Sequence, residues 1–148
     1  MTFALTAVIS FGLLLGADKP NEAAKKETEN LQGTWAVKTI EMDGEKLSED
    51  FVKEIKLVVD GDKISVQGNF PEKERYGKFT MKIDPGTKPK IIDLILGGSE
   101  KNTLEGIYQL ESGEWKICLK LNAKDRPGKF ETQQGTETVL VTLKREKP

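Results

Sequence analysis

From Gly33 to Lys144 apolar and polar side chains alternate one for one, in short runs separated by turn residues. A period of two places successive side chains on opposite faces of an extended chain, so each run is a strand with one dry and one wet face. Trp35, Val37 and Thr39 alternate with Ala36, Lys38 and Ile40, and Asp43-Gly44 ends that run. Ile55 to Val59 and Lys63 to Gln67 flank Asp60-Gly61, the signature of a tight hairpin. Phe79, Met81 and Ile83 alternate with Lys78, Thr80 and Lys82 before the turn Asp84-Pro85-Gly86. Ile91 to Leu96 is apolar on both faces apart from Asp93, and Gly97-Gly98 stops it.

The second half repeats the pattern. Leu104, Gly106, Tyr108 and Leu110 share one face; Ser112-Gly113 turns the chain; Trp115, Ile117, Leu119 and Leu121 share one face on the return, opposite Lys116, Cys118 and Lys120. After a loop from Asn122 to Lys129, Phe130 to Thr132 reads as a short strand, and Val139, Val141 and Leu143 define the last one. A single short helix interrupts the series: Leu47, Phe51, Val52 and Ile55 fall on one helical face, with Ser48 as N-cap. Phe70 to Arg75 reads as a polar loop.

The sum is an all-β domain of eight strands, nine with Phe130–Thr132. A sheet of that size with its apolar faces on one side must close into a barrel or fold into a sandwich. Sequential tight turns favour an antiparallel up-and-down β-barrel; a two-sheet sandwich is the alternative.

Residues 1–17 contain no charged side chain, and charge begins abruptly at Asp18-Lys19. An apolar block ending in Leu15-Gly16-Ala17 reads as an export signal cleaved after Ala17, which implies an extracytoplasmic protein, periplasmic or secreted. An uncleaved anchor is the alternative, although the block is short for a hydrocarbon core of ~30 Å. After cleavage no membrane span remains, and no Cys follows the block to be acylated. Residues 18–30 read as a polar spacer, with Glu22/Lys26 and Lys25/Glu29 spaced to support a short helix. Residues 31–147 form the barrel domain.

Histidine is absent. That removes Ser-His and Cys-His nucleophile pairs and the commonest metal ligand. A net charge of −1 with interspersed signs gives no clustered basic surface for nucleic acid. One Cys precludes an intramolecular disulfide, so core and backbone ladder hold the fold. No catalytic, cofactor or metal constellation emerges, and the chain is read as a non-enzyme.

Four features invite a functional reading. Cys118, between Lys116 and Lys120, is either an exposed, activated thiol or a small hydrophobe tucked under a loop, and the second reading is preferred. Asp60 and Asp62 around Gly61 resemble the start of a calcium loop but are explained by the hairpin turn. Asp93 is expected to pair with Arg126 and pin a loop to the barrel, in preference to orienting a ligand. Trp35, Trp115, Tyr108, Phe79 and Phe130 are expected to supply interior bulk.

Leu31-Gln32-Gly33-Thr34-Trp35 resembles the opening of lipocalin and fatty-acid-binding proteins, in which a Gly-x-Trp pair starts the first strand. The resemblance implies that Trp35 plugs one end of a barrel and that an Arg at the end of the last strand, here Arg145, packs over its ring. Pro89 with Ile92-Asp93-Leu94, Gly106-Ile107-Tyr108, Ile117-Cys118, Arg126-Pro127 and Lys144-Arg145 extend the likeness over Leu31 to Lys147. Together these motifs resemble an uncharacterised lipocalin-like domain family common in planctomycete bacteria, often behind export signals. The likeness implies a fold and a compartment and no reaction. Two functions are compatible with it: a barrel binding a small apolar ligand, or a cell-envelope interaction or structural module without one.

Overall fold

The computed structural model describes residues 22–121 and 125–146. The expected export signal over residues 1–17 lies outside the described residues. Residues 22–30 are helical (α1). Two long-stranded halves follow. The first comprises β1 (Gly33–Met42), β2 (Glu45–Lys46), α2 (Glu49–Val52), β3 (Lys56–Asp60), β4 (Lys63–Gln67), α3 (Lys73–Tyr76) and β5 (Lys78–Asp84). The second comprises β6 (Lys90–Leu96), a 3-10 turn (Glu100–Asn102), β7 (Thr103–Glu111), β8 (Glu114–Lys120) and β9 (Thr138–Arg145).

Apart from the two-residue β2, which pairs only with the end of β1, each strand pairs antiparallel with its sequence neighbours, and β9 returns to pair with β1. That last ladder, from Trp35 opposite Arg145 to Met42 opposite Val139, closes the sheet into an eight-strand up-and-down barrel and rules out the two-sheet sandwich. Closure removes the sheet edges that would otherwise expose unpaired backbone groups. On β7 and β8 the inward phases are those read from the sequence, Leu104, Gly106 and Tyr108, then Trp115, Ile117 and Leu119; on β6, apolar on both faces, the structure turns Ile92, Leu94 and Leu96 inward.

Four details differ from the sequence reading. The ladder between β1 and β9 shifts register between Val37 and Thr39. This bulge adds one residue, so the inward phase passes from Trp35 and Val37 to Ile40, which packs on the core in place of Thr39. Phe130 to Thr132 is not a strand, and the polar loop after Phe70 contains the one-turn helix α3. Among the described residues three short helices therefore stand where one was expected. The expected one is α2, capped by Ser48, whose Oγ accepts the Phe51 N–H at 3.3 Å. Finally, the segment read as a spacer is helical at 22–30 and docks on the barrel, through contacts described below. Its own sequence carries no apolar stripe, so nothing local announced a packing partner.

Up-and-down topology sorts the connections into two ends. At the end where β1 begins lie the Asp60-Gly61 and Ser112-Gly113 turns, the loop between β5 and β6, and α1. At the other end lie α2, α3, the 3-10 turn and the segment linking β8 to β9. Part of that segment, residues 125–137, folds back along the outer wall and buries Pro127.

Candidate functional site

The end where β1 begins is plugged. The Trp35 Nε1 donates to Leu31 O at 2.9 Å, and its ring meets Trp115 edge-on with centroids 5.3 Å apart. The Arg145 guanidinium sits 4.3 Å from the centroid of Trp35 and donates to the carbonyls of Gln32, at 2.7 Å, and of Asn30. Here the structure reproduces what the Gly-x-Trp resemblance implied. Gln32 exchanges two hydrogen bonds with Gly61, tying the entry of β1 to the first hairpin.

Beside the tryptophans, Tyr108 donates its hydroxyl to Glu27 Oε2 at 2.7 Å, and Lys90 Nζ reaches the same oxygen at 2.8 Å. Glu27 comes from α1, Lys90 and Tyr108 from facing positions of β6 and β7. The carboxylate therefore latches the helix onto the barrel. Burial, then the hydrogen bond from Tyr108 to Glu27 and the charges of Glu27 and Asp84, hold the phenol well above its ordinary range. Neither Glu27 nor Lys90 was singled out from sequence. Lys90 did carry a signal, because it continues the inward phase of Ile92, Leu94 and Leu96, and a charge there requires a partner.

The opposite end is open in character, as the exposure of inward-facing side chains shows. Around the plug, Trp35, Trp115, Ile92 and Leu143 are fully buried, and Tyr108 and Ile117 nearly so. Toward the far end Leu104, Leu119 and Val139 retain 7–8 % exposure. Ile40, Val66, Phe79, Leu121 and Val141 are only half-buried. Val141 lies opposite both Ile117 and Ile40, so its direction is inward and its exposure is to the barrel's own mouth. Met42, inward and last in β1, is the exposed large hydrophobic among the described residues, at 36 %. Leu47 and Phe51 from the α2 region and Phe70 and Tyr76 from the α3 region add apolar surface to this rim. Among the described residues the inward strand positions around the mouth carry apolar side chains, and Arg75 stacks on Tyr76 at the rim.

The outer wall carries the remaining sequence candidates. Asp93 and Arg126 meet at 2.8 Å, as expected, and Arg126 also reaches Glu105 and the carbonyls of Ile92 and Gly106. Cys118 is fully buried beneath the returning segment, its Sγ 3.8 Å from Glu131 O. Burial raises its thiol above the ordinary range, so the flanking lysines do not activate it. Asp60 and Asp62 flank the β3–β4 turn. Of the five aromatics assigned to the interior, Phe130 is the exception: it lines a depression of about 290 Å³ on the outside with Pro85 and Pro89. A wider depression, about 520 Å³, crosses the wall between β4 and β5, where Lys63, Ser65, Lys78 and Thr80 surround Phe79 and Ile95. Both are open hollows on the outside of the barrel. Among the described residues no helix is long and apolar enough to cross a membrane. Compared with known protein families, curated proteins and solved structures, the chain matches none.

Proposed function

We propose that the protein is an extracytoplasmic carrier or sensor that takes a small apolar ligand at the mouth of its barrel. The observation that carries this reading is the asymmetry of the interior: sealed around Trp35, Trp115 and Tyr108, and apolar but incompletely buried at Ile40, Val66 and Val141. Half-exposed apolar surface inside a concave wall is stabilised by an apolar occupant, at roughly 25 cal/mol per Å² removed from water. The charge-free block at residues 1–17 supports the compartment, and the family resemblance supports both. No reaction is assigned, because a chain without histidine offers no ready general base and no nucleophile pair was found.

The test is native mass spectrometry of the chain after incubation with a total lipid extract. A discrete added mass, lost on denaturation, is expected. Bare chain alone, with and without extract, would overturn the reading and turn attention to a protein-docking role in the cell envelope.

A further inference from the structure

The depth of the mouth limits how much of a ligand it can take. On three strands the change from sealed to half-buried falls between one inward side chain and the next: Val37 to Ile40 on β1, Ile64 to Val66 on β4, and Leu143 to Val141 on β9. The deeper member of each pair is no more than 3 % exposed. On β8, Ile117 at 2 % is followed by Leu119 and then, just past the strand, by the half-buried Leu121. Below this step Trp35, Trp115, Tyr108 and Ile92 are at most 1 % exposed. A hollow running the length of the barrel, open or closed, would leave exposure on those side chains. The lower barrel is therefore filled by its own residues, as an eight-strand barrel is narrow enough to be.

The part left open is short. Ile117 to Leu121 is four residues, about 13 Å of strand at ~3.3 Å each. Strands of such a barrel tilt by about 40°, so the depth along its axis is roughly 10 Å. An extended alkyl chain advances roughly 1.3 Å per carbon with bonds of ~1.5 Å, so about eight carbons reach the floor. The lining, Ile40, Met42, Val66, Leu119, Leu121 and Val141, is hydrocarbon and thioether. A polar head drawn in there would lose its water and gain no partner. The rim carries both signs, Glu49 and Lys53 at α2 and Glu74 and Arg75 in α3, and so selects no charge for the head.

We infer that the mouth takes an alkyl chain tail first and no deeper than about eight carbons, so that a longer molecule leaves its head and the rest of its chain outside. The inference rests on the mouth being the binding site. It departs from a carrier that encloses its whole cargo, because the space such a cargo would need is occupied by Trp35, Trp115, Tyr108 and Ile92.

Alkyl glucosides test this, because their bulky neutral head cannot follow the chain into the barrel. Butyl, hexyl, octyl, decyl and dodecyl glucosides, each below its micelle concentration, compete with a neutral apolar fluorophore on the full chain. Affinity is expected to rise about fourfold per added carbon up to octyl, the gain from burying one methylene. From octyl to dodecyl it should change by less than about threefold, where continued burial would give more than about a hundredfold. Ile117→Ala lowers the floor and should carry the rise on to decyl, and Val141→Phe fills the mouth and should end it at hexyl. A rise that continues through dodecyl, or affinities independent of chain length, would overturn the inference while leaving the mouth in place. So would a break that stays at octyl in both folded variants. Should either variant fail to fold, the series on the unmodified protein decides. If no glucoside binds and the fluorophore is not taken up, the mouth reading fails and this one with it.

Discussion

Arg145 closes the barrel onto its own first strand: its guanidinium lies 4.3 Å from the centre of the Trp35 ring and donates to the backbone carbonyls of Asn30 and Gln32. A planar cation with several donors can stack and bridge at once, which an ammonium cannot. Arg145→Ala is expected to cost about 1–2 kcal/mol, the low end reflecting the exposure of Arg145 to solvent. Arg145→Lys should recover less than half of that loss. Urea unfolding of the three proteins checks both, and full rescue by lysine would show that charge alone, without stacking, holds the strand end.

On the outer wall, Arg126 anchors the returning segment through four acceptors, so removing Asp93 and removing Arg126 are not equivalent. Asp93→Asn removes one charge and leaves Glu105 and the carbonyls of Ile92 and Gly106 in place. It should cost about 1 kcal/mol for a half-exposed pair. Arg126→Ala frees the segment that covers Cys118. Labelling of Cys118 by a disulfide reagent at neutral pH should then accelerate at least tenfold, because both the steric cover and the burial that raises the thiol are lost. Unchanged labelling would mean that Pro127 and its neighbours hold the cover without Arg126.

The latch between Tyr108 and Glu27 gives the fold an alkaline limit. In the folded chain the phenol is held above its ordinary value, so as pH rises the unfolded chain deprotonates first. The stability contributed by Tyr108 is complete below pH ~10 and falls above it. Tyr108→Phe loses the hydrogen bond to Glu27, so it should be less stable near neutrality by about 1–2 kcal/mol. The gap between the two proteins should narrow above pH ~10 as the native chain gives up its advantage. Denaturant titrations at several pH values test the sign, and a gap that widens with pH would refute the assignment.

Gly106 marks a place where the wall has no room. A Cβ built there would collide with the carbonyl oxygen of Cys118 and with Leu119 Cδ2 on the facing strand. The first is backbone and cannot rotate away, so Gly106→Ala must part β7 from β8 at the Gly106–Leu119 pair. A loss of about 2–3 kcal/mol is expected. Faster amide exchange at Leu119 and Lys120 than at Trp115 and Lys116 would locate the damage.

Much of the architecture was legible in the chain itself, because a strand's two faces are encoded in its own alternation and need no distant information. The inward series on β7 and β8, the Asp-Gly and Ser-Gly turns, and the Ser48 cap are all local. Even one tertiary contact was legible: Asp93 is a lone charge in an apolar run, and such a charge demands a partner, which Arg126 supplies. What only the tertiary structure decided are the features whose energies are earned between residues far apart in sequence. The β1 bulge exchanges Thr39 for Ile40 because β9 imposes its register on β1, which no window around Val37 reveals. The latch spans 81 positions between Glu27 and Tyr108, and the bond from Arg145 to Gln32 spans 113. The helix 22–30 has no apolar stripe of its own and is placed by the Glu27 carboxylate finding a phenol and an ammonium and by Arg145 donating to the carbonyl of Asn30. The mouth belongs to the same class, because how completely an inward side chain is buried depends on what the other strands set against it.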